Sequence, residues 1–82
     1  MDEKNLYQLQ LIQDKADNLY CVWRKHLERF GERPDYWGRV IAQVNEFADR
    51  YKGTPYETAA GEEMIAHVRA LEIEWRRIRR NT

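Results

Sequence analysis

Apolar residues recur at spacings of three and four along almost the whole chain, in three runs separated by two short breaks. In the first, about residues 5–30, Leu9, Ile12, Ala16, Leu19, Trp23 and Phe30 follow a helical period, with Tyr20 and Leu27 widening the stripe and His26 at its edge. Gly31 stands where a helix C-cap is expected, and Pro34 blocks simple continuation. The second run, about 35–52, carries Trp37, Val40, Ile41, Val44, Phe47, Ala48 and Tyr51 on one face. Arg39, Gln43, Glu46, Asp49 and Arg50 lie outside that stripe, and Gly53 ends the run.

Thr54-Pro55-Tyr56-Glu57 opens the third run, about 55–80, with the signature of a capping box: Thr as N-cap, Pro at the first helical position, Glu three after the cap. Met64, Val68, Leu71, Trp75 and Ile78 form its stripe. Gly61 lies on the stripe side, where it costs about 1 kcal/mol relative to Ala. It predicts either a bend or the close approach of another helix. Tyr7, Leu9 and Leu11 also alternate with Gln8 and Gln10 in a strand-like period, but a lone strand finds no partner in an otherwise helical chain.

Three amphipathic helices with short connections predict an all-α fold: an up-down-up three-helix bundle in a single domain, residues 1–82, with long first and third helices. At about 1.5 Å per residue they span roughly 39, 27 and 40 Å, so the middle helix is the short one. Packed back from Phe30, it leaves the first turns of the first helix uncovered. Leu6, Tyr7, Leu9, Leu11 and Ile12 then overhang, and the Arg-rich tail of the third helix passes the other end unless a bend at Gly61 draws it back.

Composition narrows the class of partner. The 82 residues include 14 acidic and 14 basic ones, for a formal net charge of zero. Proteins that wrap nucleic acid over most of their surface are usually strongly basic, and mimics of DNA strongly acidic. Neither description fits, although a local basic patch does. Cys21 is the one cysteine, so no internal disulfide forms and a reducing compartment is the default. No signal peptide is expected from Met-Asp-Glu-Lys, and no apolar run approaches the roughly 20 residues that span a bilayer. The expected location is cytoplasmic, with no membrane partner.

Catalytic chemistry has little to draw on. Two histidines and one cysteine cannot close a zinc site, and neither Cys-x-x-Cys nor His-Glu-x-x-His occurs. At 100° per residue Cys21 and His26 point to widely different directions and form no nucleophile–base pair. His67 flanks the third stripe as a core-edge side chain. The chain has no serine, and its glycines are scattered singly rather than gathered in a phosphate loop. Neither an enzyme nor a cofactor or metal site is expected.

The surface residues carry the functional expectation. Ten of the 14 basic residues are Arg, and five fall between Arg69 and Arg80. Arg69, Arg76 and Arg80 share one side of the third helix with Arg77 beside them, and Ile73 points away from the core stripe into their midst. An exposed Ile ringed by Arg fits a protein contact, because Arg is enriched at interfaces and Lys depleted. Basic residues at a helix C-terminus also favour the macrodipole, and Glu72–Arg76 has i,i+4 spacing. The N-terminal overhang, Leu6, Tyr7 and Leu11 with Val22 on a nearby flank, is the second candidate surface. Tyr36 and Tyr56 are expected at exposed helix starts, Trp37 and Trp75 in the core. A helix-turn-helix aligned on Ala48 fails, since Thr58 and Gly61 then fall where apolar anchors belong.

These residues predict a small non-enzymatic module that binds another protein, as an adaptor or as an inhibitor of a larger assembly, a character shared with small proteins of viruses and mobile elements. Two alternatives belong to other classes. One is a nucleic-acid-binding accessory protein using Arg69, Arg76, Arg77, Arg79 and Arg80. The other is a structural homo-oligomer, in the simplest case a homodimer, built on the overhang.

Overall fold

The structure, a computed structural model, describes residues 3–81. It consists of three helices: α1 (Glu3–Phe30), α2 (Pro34–Arg50) and α3 (Glu57–Arg80). They lie up, down and up in a slender body of 48 × 20 × 15 Å. α3 is the shared element. It packs along α1 and against α2, whereas α1 and α2 approach each other far less closely.

The core takes one stripe from each helix. α1 gives Ile12, Ala16, Trp23 and Leu27; α2 gives Tyr36, Val40 and Phe47; α3 gives Ala60, Met64 and Leu71. Leu19, Phe30, Val44, Val68, Trp75 and Ile78 close its flanks, half buried. Among the described residues, no buried side-chain nitrogen or oxygen lacks a hydrogen-bond partner, as a thin core requires. No helix of the described residues is long and apolar enough to cross a membrane.

The first loop is organised by contact rather than by a left-handed cap. The Gly31 N–H donates to the Leu27 carbonyl at 2.8 Å, and the Gly31 carbonyl accepts from the Trp37 indole, also at 2.8 Å. Gly31 is buried, and a Cβ there would lie 2.6 Å from the Leu27 oxygen and 2.7 Å from the Trp75 ring. Close approach is its role. The position that needs a left-handed backbone is Gly53, with φ of 77°, where the chain leaves α2.

Several expectations change. α3 begins at Glu57, not at Pro55, and its N-cap is Tyr56. Thr54 Oγ1 instead donates to the Tyr51 carbonyl at 2.6 Å and accepts the Tyr56 N–H at 3.2 Å, while the Glu57 carboxylate takes the N–H of Gly53. The capping groups are thus spent on the turn. The Glu57 N–H bonds back only three residues, to the Thr54 carbonyl, and α-helical bonding starts with Ala60 on Tyr56. α2 likewise ends at Arg50, two residues early. α3 runs unbroken through Gly61, and a Cβ there would meet nothing within 4 Å. That residue marks neither an interruption nor a close approach.

Exposure shifts at five places, one of them Tyr56, which is half buried against the core rather than exposed. Tyr36 is buried, its hydroxyl donating to the Trp23 carbonyl at 2.6 Å, while Trp37 is only half buried. Ile41, placed in the α2 stripe by its spacing, is exposed, because α2 turns the neighbouring Val40 inward instead. The N-terminal overhang is shorter than expected: Ile12 is fully buried and Leu9 half buried. α3 supplies the cover that α2 cannot. Its lead-in reaches the start of α1, where the Tyr56 hydroxyl donates to Asn5 at 2.8 Å. Leu6 and Tyr7 stay exposed.

Candidate functional site

The outer face of α3 is the first candidate. Ile73 is 57% exposed and Ile65 63% exposed, on a helix whose inward residues Ala60, Met64 and Leu71 are almost fully buried. At 100° per residue Ile65, Arg76, Arg69, Arg80 and Ile73 fall within an arc of about 80° on the side away from the core. Glu62 lies in the same arc and Glu72 borders it. The face extends from Ile65 to Arg80, roughly 22 Å along the helix. Ile65 escapes a reading of the stripe because it adjoins Met64; a wheel of the whole helix places it beside Arg69.

The five C-terminal arginines divide into two groups. Arg77 is turned back onto Glu74, through its Nε at 3.0 Å and through a second, shorter contact from its Nη2. Glu74 also accepts from Arg24 of α1 at 3.1 Å, and so bridges two helices. The Arg77 hydrogen bond, reinforced by the positive charges of Arg77 and Arg24, holds the Glu74 carboxyl below its ordinary pKa. Arg79 lies over the Trp75 ring at 6.0 Å. Arg69, Arg76 and Arg80 are exposed and have no side-chain partner among the described residues. The Glu72–Arg76 spacing produces no ion pair in the structure.

The N-terminal set does not form one surface. Leu6 and Val22 are exposed but lie about 160° apart around α1, Tyr7 sits between them in direction, and Leu11 is half buried. Leu11 and Val22 do share a flank, 20° apart.

That flank borders the second candidate, a furrow between α1 and α2. Because these helices stay apart, two concavities of about 340 and 430 Å³ open between them, and both are lined by Val22 and Gln43. Together they form a furrow along the α1–α2 seam and meet at Val22 and Gln43. Its floor is fixed by the Trp23 indole donating to Gln43 Oε1 at 2.5 Å and by Tyr36 on the Trp23 carbonyl. Burial also pushes the Tyr36 phenol up to about 12, against a smaller opposing effect from the Arg24 charge. Phe30 at one end lies beneath two guanidiniums, Arg29 at 5.3 Å and Arg33 at 5.4 Å from the ring centre. His26 stands beside it, 6.0 Å from ring to ring. Gln43 is exposed, as its position outside the α2 stripe predicts, and it supplies the acceptor that the buried Trp23 indole needs.

The remaining chemistry-bearing side chains are accounted for by packing. His67 lies in the α1–α3 seam, its Nε2 2.8 Å from Asp17 and its Nδ1 2.6 Å from the Glu63 carbonyl, with Tyr20 edge-on at 5.8 Å. Cys21 is exposed. Among the described residues, no three His, Cys, Asp or Glu side chains are grouped as a metal would need. The chain matches no known protein family, and neither curated proteins nor solved structures give a significant match to it.

Proposed function

We propose that this chain is a non-enzymatic protein-binding module, an adaptor or an inhibitor of a larger assembly, and that it binds through the outer face of α3. One observation carries the reading: Ile65 and Ile73 stand exposed on a face whose Arg69, Arg76 and Arg80 have no intramolecular partner among the described residues. Fully burying one such Ile contributes on the order of 1.5–3 kcal/mol, and unpaired guanidiniums nearby supply directional bonds to a partner's carboxylates and carbonyls. A merely solvated helix face gains nothing from two isoleucines. Nucleic acid is the weaker alternative because Arg77 is spent on Glu74 and Arg79 on Trp75. With three arginines left for phosphates, binding would follow a log–log salt slope of about −2.7.

The test is co-purification of the tagged full chain from its native host, comparing wild type with Ile73→Asp and Ile65→Asp. A protein retained by wild type and lost from both variants, each folded by circular dichroism, is the expected result. A partner retained equally by all three removes α3 as the interface. Binding of labelled DNA or RNA with the salt slope above, abolished by Arg76→Glu, would replace the reading with the nucleic-acid one.

A further inference from the structure

The furrow between α1 and α2 lies on a different side of the bundle from the α3 face, and the proposal above makes no use of it. Its two walls are helical rows in register. On α1 Lys15, Val22 and His26 line it, and on α2 Arg39, Gln43 and Glu46, each set at the three-, four- or seven-residue spacing of one helix face. On α1 the furrow runs from Lys15 to Phe30, roughly 22 Å or four turns.

Charge along it is unbalanced, although the chain as a whole is neutral. Lys15, Arg33, Arg39 and Arg50 line it against Asp35 and Glu46. Glu46 is already paired with Arg50 at 3.3 Å. What remains is Lys15 at one end and Arg39 at the other, with Arg33 beside it over the Phe30 ring, opposed among the lining residues by Asp35. Between the ends lies apolar surface: Val22, 52% exposed, with half-buried Leu19.

We infer that this furrow receives an amphipathic, acidic helix of about four turns, supplied by a protein partner. The inference rests on the reading of the chain as a protein-binding module, and it adds a second surface and the chemistry of what fills it. A helix fits because a trough between two helices presents ridges and grooves to a third, and the residues that floor it are pinned beforehand by the Trp23–Gln43 and Tyr36–Trp23 hydrogen bonds. The apolar stripe of the incoming helix rests on Val22 and Leu19. Its carboxylates meet Lys15 at one end and Arg33 and Arg39 at the other. An extended peptide has no open sheet edge to join among the described residues, which are helical or in turns.

The test is selection of a displayed library of helical peptides of about fifteen residues on the immobilised full chain. Enriched peptides should carry apolar residues at i, i+3 or i+4 and i+7 with Asp or Glu flanking them. They should bind at least tenfold more weakly to Val22→Asp and to the double variant Arg33→Glu/Arg39→Glu, and equally well to Ile73→Asp. Two variants are used because each must be shown folded by circular dichroism; these side chains are exposed, so substitution leaves the core intact. No enrichment, enrichment without acidic bias, or unchanged affinity for both furrow variants overturns the inference. So does an oligonucleotide that displaces the selected peptides and binds more tightly than they do, since the furrow is then a nucleic-acid site. Peptides sensitive to Ile73→Asp alone would sink the furrow while leaving the α3 face standing.

Discussion

The Trp75 ring stands 2.7 Å from the place where a Cβ on Gly31 would lie. Residues 44 apart in sequence therefore meet with no room for one methyl group, and the contact sets how closely the end of α3 approaches the α1–α2 loop. Gly31→Ala should cost about 1–3 kcal/mol, the usual range for overpacking, in urea unfolding. In a Trp75→Ala background the same substitution should cost less, because the ring no longer occupies the space. Equal costs in the two backgrounds would show that the indole is not the obstacle.

Gly61 should behave in the opposite way. Its α-helical position has open space for a Cβ, so Gly61→Ala should stabilise the fold by about 0.5–1 kcal/mol. In a chain of this size that raises Tm by roughly 2–8 °C. A fall in Tm would mean that α3 bends there after all.

Tyr36 predicts the behaviour in base. Burial raises its pKa from the usual 10.0 to about 12. The unfolded chain therefore releases this proton first, so the stability tied to the neutral phenol is complete below pH 10 and declines as pH climbs towards 12. Absorbance titration of tyrosinate should show one late step, missing in Tyr36→Phe. That variant should also lose about 1 kcal/mol at neutral pH with the hydroxyl's bond to Trp23.

Glu74 predicts the behaviour in acid. Its folded pKa is depressed by Arg77 and Arg24, so its contribution is present above the ordinary carboxylate range and disappears as pH falls through the lowered value. Glu74→Gln should shift the urea midpoint downwards at neutral pH, and the gap from wild type should close in acid. A gap independent of pH would assign the effect to packing rather than charge.

Periodicity alone located the three helices, and the inward faces of α1 and α3 followed from it. What it left open were choices between neighbours. Tyr36 and Trp37 are both aromatic, as are Val40 and Ile41 both β-branched; the one that turns inward depends on where α3 lies against α2, and spacing within α2 does not contain that. The two glycines mislead for a similar reason: Gly61 is conspicuous inside a helix, but only the fold shows that Trp75 crowds Gly31. Thr54 and Glu57 were recognised as capping residues, yet the turn after Tyr51 claimed them first. At the surface, outward Ile73 was legible from one helix alone. The furrow was not, since it exists only through the distance between two helices.

The pairing of both other helices with α3 also dictates an order of events. A chain made from its N-terminus has α1 and α2 in hand long before α3, yet those two touch each other least. Until α3 emerges, Ile12, Leu27 and Phe47 lack Ala60, Met64 and Leu71, with which they form the core. A chain cut before Glu57 should therefore lose the cooperative urea transition altogether rather than show a weakened one.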